Sequence, residues 1–168
     1  MKILGDVLES RGGNPFVRLN RVVPPRHGDV FVQLEYLNPS GSIKDRIAAF
    51  MIEEAEKRGE LRPGSRIVEA TSGNTGIALA LAGAVKGYEV TIVMPEQASE
   101  ERRKVLSALG ADIVLIPGGA TCLEKCLAKV RELTESDSRV WVPGQFTSED
   151  NIRAHMETTG PETVKAVG

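Results

Sequence analysis

From Arg66 onward, short apolar segments alternate with longer segments of helical character, and this alternation constrains the fold more than any other feature of the chain. β-branched apolar runs predict four strands, at residues 66–70, 89–94, 112–116 and 139–142. Helical patterns lie between them, at residues 75–86, 98–109 and 119–135. Buried strands joined by helices are typical of a parallel sheet that is covered on both faces. We therefore predict an α/β fold, a doubly wound parallel sheet of about four strands with helices on both faces.

A loop of small and polar residues follows the first of these strands, and it consists of Thr71, Ser72, Gly73, Asn74, Thr75 and Gly76. At the start of a helix, such a loop offers free N–H groups that can bind a phosphate or a carboxylate. A nucleotide-binding loop is disfavoured, because neither G-x-x-x-x-G-K-[ST] nor G-x-G-x-x-G is present. Simple helix capping needs only one such residue. The preferred interpretation is therefore an anion site.

The turn after the fourth predicted strand, Pro143, Gly144, Gln145 and Phe146, belongs to the same edge of the sheet. Right-handed crossovers place every strand-to-helix loop at one edge, and ligands bind outside the carboxyl ends of the strands. We expect this turn and the loop at 71–76 to face one site. Trp141 and Phe146 flank Gln145 and are expected to wall the cleft or the core.

A second loop of small residues places a lysine at the start of a predicted amphipathic helix. Residues 38–46 read Asn-Pro-Ser-Gly-Ser-Ile-Lys-Asp-Arg, and the lysine is Lys44. The positive end of a helix does not favour a cation, but the same field, together with burial, lowers the pKa of an amine and makes it a better nucleophile. A solitary lysine is usually solvated, whereas these small neighbours leave room for a ligand. Lys44 is thus the candidate catalytic residue, with an amine that can form an imine.

The remaining helix and strand patterns suggest three parts. The helix after Lys44 carries Ile47, Met51, Ile52 and Ala55 on one stripe and is expected to stop at Gly59. Residues 16–19 and 30–34 predict strands of another layer or sheet. A helix is expected from about 149 to 157, then a turn at 159–162 and a last helix. The expected division is 1–35 for the N-terminal strands, 36–148 for the α/β domain, and 149–168 for the helical start of a second domain.

Composition excludes several classes of protein. The 168 residues carry 21 basic and 23 acidic side chains, a net charge of −2, which gives no reason to expect binding to nucleic acid or to anionic lipid. No apolar run approaches the roughly 20 residues of a membrane span. The chain reaches a charged residue too early for a signal peptide, and two cysteines are too few for a disulfide framework. A cytoplasmic protein is expected.

Other polar residues have simpler interpretations. Cys122 and Cys126 lack ligand-type partners, so no metal is expected and both should pack beside Leu123 and Val130. His27 and His155 are expected at the surface, and the alternative for His155 is a residue that supports the site without touching the ligand. The charged cluster at 100–104 predicts a solvated helix face with ion pairs one turn apart.

The order of these motifs resembles that of cysteine synthases, within the wider tryptophan-synthase-β-like family of pyridoxal-phosphate enzymes. The resemblance covers nearly the whole chain. It rests on Gln33-Leu34-Glu35 through Lys44-Asp45-Arg46, Ile67 through Gly76, Met94-Pro95-Glu96, Glu101-Arg102-Arg103, Leu109-Gly110-Ala111 and Thr158 through Glu162. Two positions depart from the pattern: residues 12–16 read Gly-Gly-Asn-Pro-Phe without the usual threonine, and Gln33 replaces the common lysine.

The resemblance implies a role for each matched residue. Lys44 would bind pyridoxal phosphate as an imine and then move the α-proton of the substrate, and Asn74 would hydrogen-bond the 3′ oxygen of the cofactor. The substrate's α-carboxylate would be bound by Thr71, Ser72, Gly73 and Thr75, with Gln145 closing over it. The implied reaction is a β-replacement in which an activated serine, such as O-acetylserine, and sulfide give L-cysteine.

The resemblance also implies that this chain is the N-terminal part of such an enzyme. Its relatives would continue past Gly168 into a second domain, which supplies a glycine- and threonine-rich loop for the cofactor phosphate and a polar residue facing the pyridine nitrogen. The first 35 residues would normally pair with that domain. Three interpretations remain open. The first is an enzyme that is active only if another chain supplies the missing domain. The second is a non-catalytic fragment or binding module, which would form a homodimer through surface that is normally buried, and the third is an enzyme of the cystathionine β-synthase type, which shares most of the motifs.

Overall fold

The computed structural model describes residues 3–118 and 122–168. The strands are β1 (Phe16–Arg18), β2 (Phe31–Gln33), β3 (Arg66–Ala70), β4 (Glu89–Pro95), β5 (Asp112–Ile116) and β6 (Val140–Trp141). The helices are α1 (Lys44–Arg58), α2 (Asn74–Lys86), α3 (Glu100–Ala108), α4 (Cys122–Ser136), α5 (Glu149–Ala154) and α6 (Gly160–Val167). Short 3₁₀ helices lie at Val7–Ser10 and Glu35–Leu37, and a π-helical turn lies at His155–Thr159.

The central sheet confirms the predicted α/β fold. Its strands are all parallel and lie in the order β5-β4-β3-β6. The strand predicted at 139–142 is shorter than expected, since β6 pairs with β3 only at Val140 and Trp141. The helix predicted from 119 begins at Cys122 in the described part of the chain, and its predicted first residues, 119–121, lie outside the described residues.

Helices cover both faces of this sheet because successive residues of its strands point to opposite sides. Ile67 of β3 and Ile92 of β4 belong to the larger core, which includes buried residues of α1, α2 and α3. Val68 and Val93 belong to a second core with Cys126 of α4. Each face is apolar, as expected for a buried parallel sheet.

The helix that carries Lys44 forms as its sequence pattern predicts. Ile47, Met51 and Ile52 are fully buried, and α1 packs against α2 and α5. Gly59 ends the helix with φ +71°, the left-handed conformation that favours glycine. The start of α1 is therefore held in place by a large buried surface.

The N-terminal strands form a separate antiparallel ribbon, which confirms that they belong to another sheet. Val17 of β1 lies opposite Val32 of β2, so their side chains share one face of the ribbon. Both are exposed, at 43% and 38%.

The C-terminal segment corrects one prediction. The turn expected at 159–162 is absent, and helical structure instead continues from α5 through the π-helical turn into α6. Pro161 has no N–H to donate, and the wider turn, closed by Gly160 N–H donating to His155 O, accommodates its ring. Hydroxyl groups of Thr158 and Thr163 donate to helix carbonyls one turn earlier. Among the described residues, no helix is both long enough and apolar enough to cross a membrane.

Candidate active site

A cavity of about 510 Å³ opens at the carboxyl ends of β3, β4 and β6. Its lining includes every site residue predicted from the sequence: Lys44, Thr71, Ser72, Gly73, Asn74, Thr75 and Gln145. Parallel strands bring these residues together, although 101 positions separate the first from the last. This is the sheet edge at which ligands of open α/β folds bind.

Lys44 is positioned by the loop of small residues before it. Its backbone N–H donates to Ser42 Oγ at 3.1 Å. The buried carboxylate of Asp45 accepts from Ser40 N at 2.7 Å and from the Ser40 hydroxyl. Burial raises the pKa of Asp45, while the two hydrogen bonds from Ser40 act in the opposite direction. Gly41, at φ +87°, turns the loop. The loop thus folds back on the first turn of α1 and fixes the lysine at the cavity.

The Lys44 amine has no hydrogen bond or ion pair with any residue of 3–118 or 122–168. The side chain is half-buried. The described lining contains no carboxylate, whereas Arg102 adds a second cation. An anionic ligand is therefore favoured in the cavity, and the amine is available to it.

The loop before α2 presents unpaired backbone donors. No side chain caps this helix, and the N–H groups of Asn74 and Thr75 have no partner within the described chain. Gly73 N–H donates weakly to Thr71 Oγ1 at 3.3 Å. Free N–H groups at a helix start can bind anions, so these two groups are available to an anion in the cavity.

Gln145 joins the two loops directly. Its Oε1 accepts a hydrogen bond from Thr75 Oγ1 at 2.7 Å. Its backbone carbonyl accepts from Asn151 Nδ2 at 2.7 Å, and its backbone N–H points to Glu69 Oε2 at 3.4 Å. The side-chain amide therefore lies beside the loop that the sequence assigns to carboxylate binding.

The structure adds cavity residues that sequence reasoning missed. Arg102 was expected on a solvated helix face, but its Nη1 donates to Ser72 O at 3.2 Å and it lines the cavity. Leu123 was expected to pack with the cysteines and is instead 52% exposed at the cavity wall, while Cys126 and Val130 are buried as predicted. Phe146 walls the cleft as expected, and Trp141 packs in the core.

His155 lies only partly at the surface. It is half-buried, and its Nδ1 lies 2.9 Å from Thr159 Oγ1. Burial lowers the pKa of His155, and the positive charges of Lys44 and Arg46 lower it further. The neutral imidazole is therefore favoured in the neighbourhood of Lys44.

Comparison with known proteins places these residues in a family. The family model described as "Pyridoxal-phosphate dependent enzyme" matches residues 7–168. A cysteine synthase of Staphylococcus aureus (strain N315) is 46% identical over 164 residues, which are 98% of this chain and 52% of the relative. A probable cysteine synthase of Bacillus subtilis (strain 168) is 44% identical over 167 residues, or 99% of this chain and 53% of the relative.

Solved structures agree with these sequence relatives. A hydrogen sulfide-producing enzyme of Fusobacterium nucleatum superposes with a TM-score of 0.91 at 42% identity, covering 98% of this chain and 53% of that one. A cysteine synthase of Entamoeba histolytica gives a TM-score of 0.91 at 40% identity, with 98% and 49% covered. An O-ureido-L-serine synthase also gives 0.91 at 40% identity, with 98% and 51% covered. The chain spans about half the length of the curated relatives it matches.

Proposed function

Because this chain belongs to the family of pyridoxal-phosphate dependent enzymes, we propose that it carries the lysine and the substrate-carboxylate loop of a β-replacement enzyme. The proposed reaction joins an activated serine, such as O-acetylserine, with sulfide to give L-cysteine. The observation that carries the proposal is the unpaired Lys44 amine, which shares one cavity with the loop at 71–75 and with Gln145.

The residues present fit the family's cofactor. Lys44 offers an amine with no described partner, and Asn74 lines the same cavity with a side chain that can hydrogen-bond a ring oxygen. These two residues would hold pyridoxal phosphate, and the proposal assigns its phosphate group no ligand in this chain. The bound cofactor would supply an electron sink that stabilises negative charge at the substrate's α-carbon.

The chain's own residues would bind and orient the substrate. The N–H groups of Asn74 and Thr75 would bind the α-carboxylate, with the hydroxyls of Thr71 and Ser72 and the backbone of Gly73 beside them. Gln145 would release Thr75 Oγ1 and donate through its amide to the same carboxylate. Lys44 Nζ would then accept the α-proton, since its amine faces the same cavity. Leu123 and Phe146 would limit the access of water.

The proposed setting is the cytoplasm, with another chain completing the site. Cys122 and Cys126 are both free and buried, in keeping with a reducing compartment. A complementing C-terminal chain, or a second copy of this one, would cover apolar side chains such as Val17 and Val32, which are exposed here.

A cofactor-labelling experiment tests the proposal. The purified chain is incubated with pyridoxal phosphate, reduced with borohydride and digested, and the modified lysine is located by mass spectrometry. We expect the label on Lys44 and its loss in Lys44→Ala, while Lys57→Ala, at the exposed far end of α1, keeps it.

Cysteine formation is then measured with O-acetylserine and sulfide. Labelling at Lys44 together with cysteine formation supports the complete proposal. An unlabelled Lys44 contradicts it. Labelling of Lys44 without cysteine formation would show that this chain binds the cofactor but does not catalyse the reaction.

A further inference from the structure

Glu69 is a buried carboxyl group that the proposed chemistry does not use. It lies near the carboxyl end of β3 and is 2% exposed. No cation of the described residues forms an ion pair with it. Burying a carboxylate costs free energy unless its oxygens are hydrogen-bonded. The hydrogen bonds that Glu69 accepts must therefore offset the cost of burying its carboxylate.

Those hydrogen bonds run across the sheet edge to the Gln145 turn. Because β3 and β6 are adjacent and parallel, Glu69 faces the turn that follows β6. Its Oε2 accepts from Gly144 N at 2.9 Å and, more weakly, from Gln145 N at 3.4 Å. Gly144 has φ +63°, the left-handed conformation that favours glycine. One carboxylate oxygen thus faces consecutive amides of a tight turn.

The turn has two other hydrogen bonds. Asn151 Nδ2 binds the backbone carbonyl of Gln145, and Thr75 Oγ1 binds its side chain. In the proposed function, Gln145 releases this bond from Thr75 when its side chain moves to the substrate. The backbone bonds to Glu69 and Asn151 would then determine where the side-chain amide points.

We propose that Glu69 is a positioning residue, whose carboxylate holds the Gly144–Gln145 backbone so that the Gln145 amide is aimed at the substrate-carboxylate loop. The inference deepens the proposed function and rests on it for the identity of the substrate group. The contact between Glu69 and the turn itself is independent of any substrate.

Because the Glu69 carboxyl group can be protonated, the strength of its hydrogen bonds to Gly144 and Gln145 depends on pH. Burial raises the pKa of Glu69 to about 7, and the amides of Gln145, Gly144 and Ala70 lower it in part. β4 places Ile92 beside Glu69, and β6 contributes Val140 and Trp141, none of which titrates. Lys44 and Arg102, the charged groups of the adjoining cavity, do not contribute to this shift. A carboxylate is a stronger acceptor than its protonated form, so the turn is held more firmly above neutral pH.

An NMR titration of the ligand-free, isotope-labelled chain tests the contact directly. We expect the amide protons of Gly144 and Gln145 to move downfield as the pH rises from about 5 to about 9, with a midpoint near Glu69's pKa of about 7. Glu69→Gln keeps an acceptor but cannot ionise, so this titration should vanish. The control variant Glu135→Gln removes an exposed carboxylate on α4 and should leave the titration of the Gly144 and Gln145 amides intact. Amides that do not titrate, or that titrate equally in Glu69→Gln, overturn the inference.

A binding experiment on the cofactor-loaded chain tests the positioning role, with L-serine, which lacks an activated leaving group, as the probe. We expect serine binding to weaken about tenfold in Glu69→Leu, the loss expected for about one good hydrogen bond. Glu69→Gln should recover most of the affinity and lose its pH dependence. Asn151→Ala should weaken binding without changing the pH profile. Equal affinity in the wild type and a folded Glu69→Leu overturns the positioning role. If the wild type fails to bind serine while the amides still titrate, the proposed function fails and the contact stands.

Discussion

Glu69 links the stability of the fold to pH through its own protonation. Burial raises its pKa from 4.5 to about 7, so the folded state binds the proton more tightly than the unfolded state does. The stabilisation is fully present below about pH 4.5 and is lost as the pH rises through about 7. The difference between the pKa values of Glu69 in the folded and unfolded states corresponds to roughly 3 kcal/mol in the free energy of unfolding.

Glu69→Gln should remove this dependence. We expect the free energy of unfolding of the wild type to fall relative to that of the variant between pH 4.5 and about 7. The measurement is urea unfolding at a series of pH values, followed by the fluorescence of Trp141, the single tryptophan. Glu135→Gln provides the control for loss of a carboxylate. Parallel pH profiles for wild type and Glu69→Gln would show that the carboxyl is not perturbed.

Cavity residues that belong to a recognisable loop could be predicted from the sequence, whereas residues that reach the cavity or its turn from a neighbouring strand or helix could not. Lys44 and Asn74 each lie where small residues meet a helix, and that pattern is local in the sequence. Glu69 looks like any polar residue in a strand, and its partner Gly144 is 75 residues away. Arg102 looks like part of a solvated helix face. Their contacts depend on tertiary proximity, which no local pattern records.

The packing of α2 on β4 depends on a glycine at their contact. A Cβ at Gly83 would lie 2.2 Å from Val90 Cγ2 and 3.2 Å from the backbone oxygen of Tyr88. Both Gly83 and Val90 are buried. Only a residue without a side chain therefore lets the helix approach the strand this closely.

Gly83→Ala should destabilise the protein by about 1–2 kcal/mol. Overpacking a core costs about 1–3 kcal/mol, and alanine returns part of this through its higher helix propensity. The control is Ala84→Gly, an exposed change in the same helix, which should cost about 1 kcal/mol through propensity alone. Urea unfolding of both variants gives the comparison. A stabilised Gly83→Ala would show that the helix can move away from β4 at little cost.

The helices and strands were predicted best where their apolar periodicity is strong. The patterns at 66–70 and 112–116 match β3 and β5 at both ends, because each is a short run rich in β-branched apolar residues. The segment at 159–162 was assigned to a turn on the basis of Gly160 and Pro161, yet it lies in a π-helical turn and the start of α6. Glycine and proline signal a break in a helix, but threonine hydroxyls and the wider turn satisfy the backbone there.

Distant parts of the chain are joined by one buried guanidinium. The side chain of Arg46 is 1% exposed and contacts Glu35 and Glu162 at 2.8 and 2.7 Å. Glu162 also accepts from Gly13 N and Gln33 Nε2. Helix α6 has no buried residue of its own. Polar contacts through Glu162 are therefore expected to contribute most of its attachment to α1 and the N-terminal segment.

Glu162→Gln should release α6 locally rather than unfold the protein. Hydrogen bonds from Arg46 lower the pKa of Glu162, so the stabilisation is present above its usual value of 4.5 and is lost as the pH falls below it. At neutral pH we expect amide exchange in α6 to accelerate about tenfold, which corresponds to about 1.4 kcal/mol. Glu157→Gln, which removes an exposed pair with Arg153, should change exchange little. Unchanged exchange in Glu162→Gln would show that another contact holds the helix.

The exposed face of the N-terminal ribbon predicts that the chain self-associates. Val17, Val30 and Val32 are each about 40% exposed. The antiparallel register places Val17 opposite Val32 on one face of the ribbon, and Val30 lies just before β2. A two-stranded ribbon is marginally stable unless its apolar face is covered. In a solution that contains only this chain, a second copy is the molecule that can cover the apolar face of the ribbon.

Sedimentation velocity over a range of concentrations measures this association. We expect a concentration-dependent shift from monomer to a larger species. The double variant Val17→Thr and Val32→Thr should reduce it, because threonine keeps the preference for strand while removing apolar surface. Val105→Thr on α3, where the valine is 42% exposed, is the matched control and should associate like the wild type. A wild type that stays monomeric throughout, or a Val105→Thr variant that associates as weakly as the double variant, would show that the ribbon is not the contact surface.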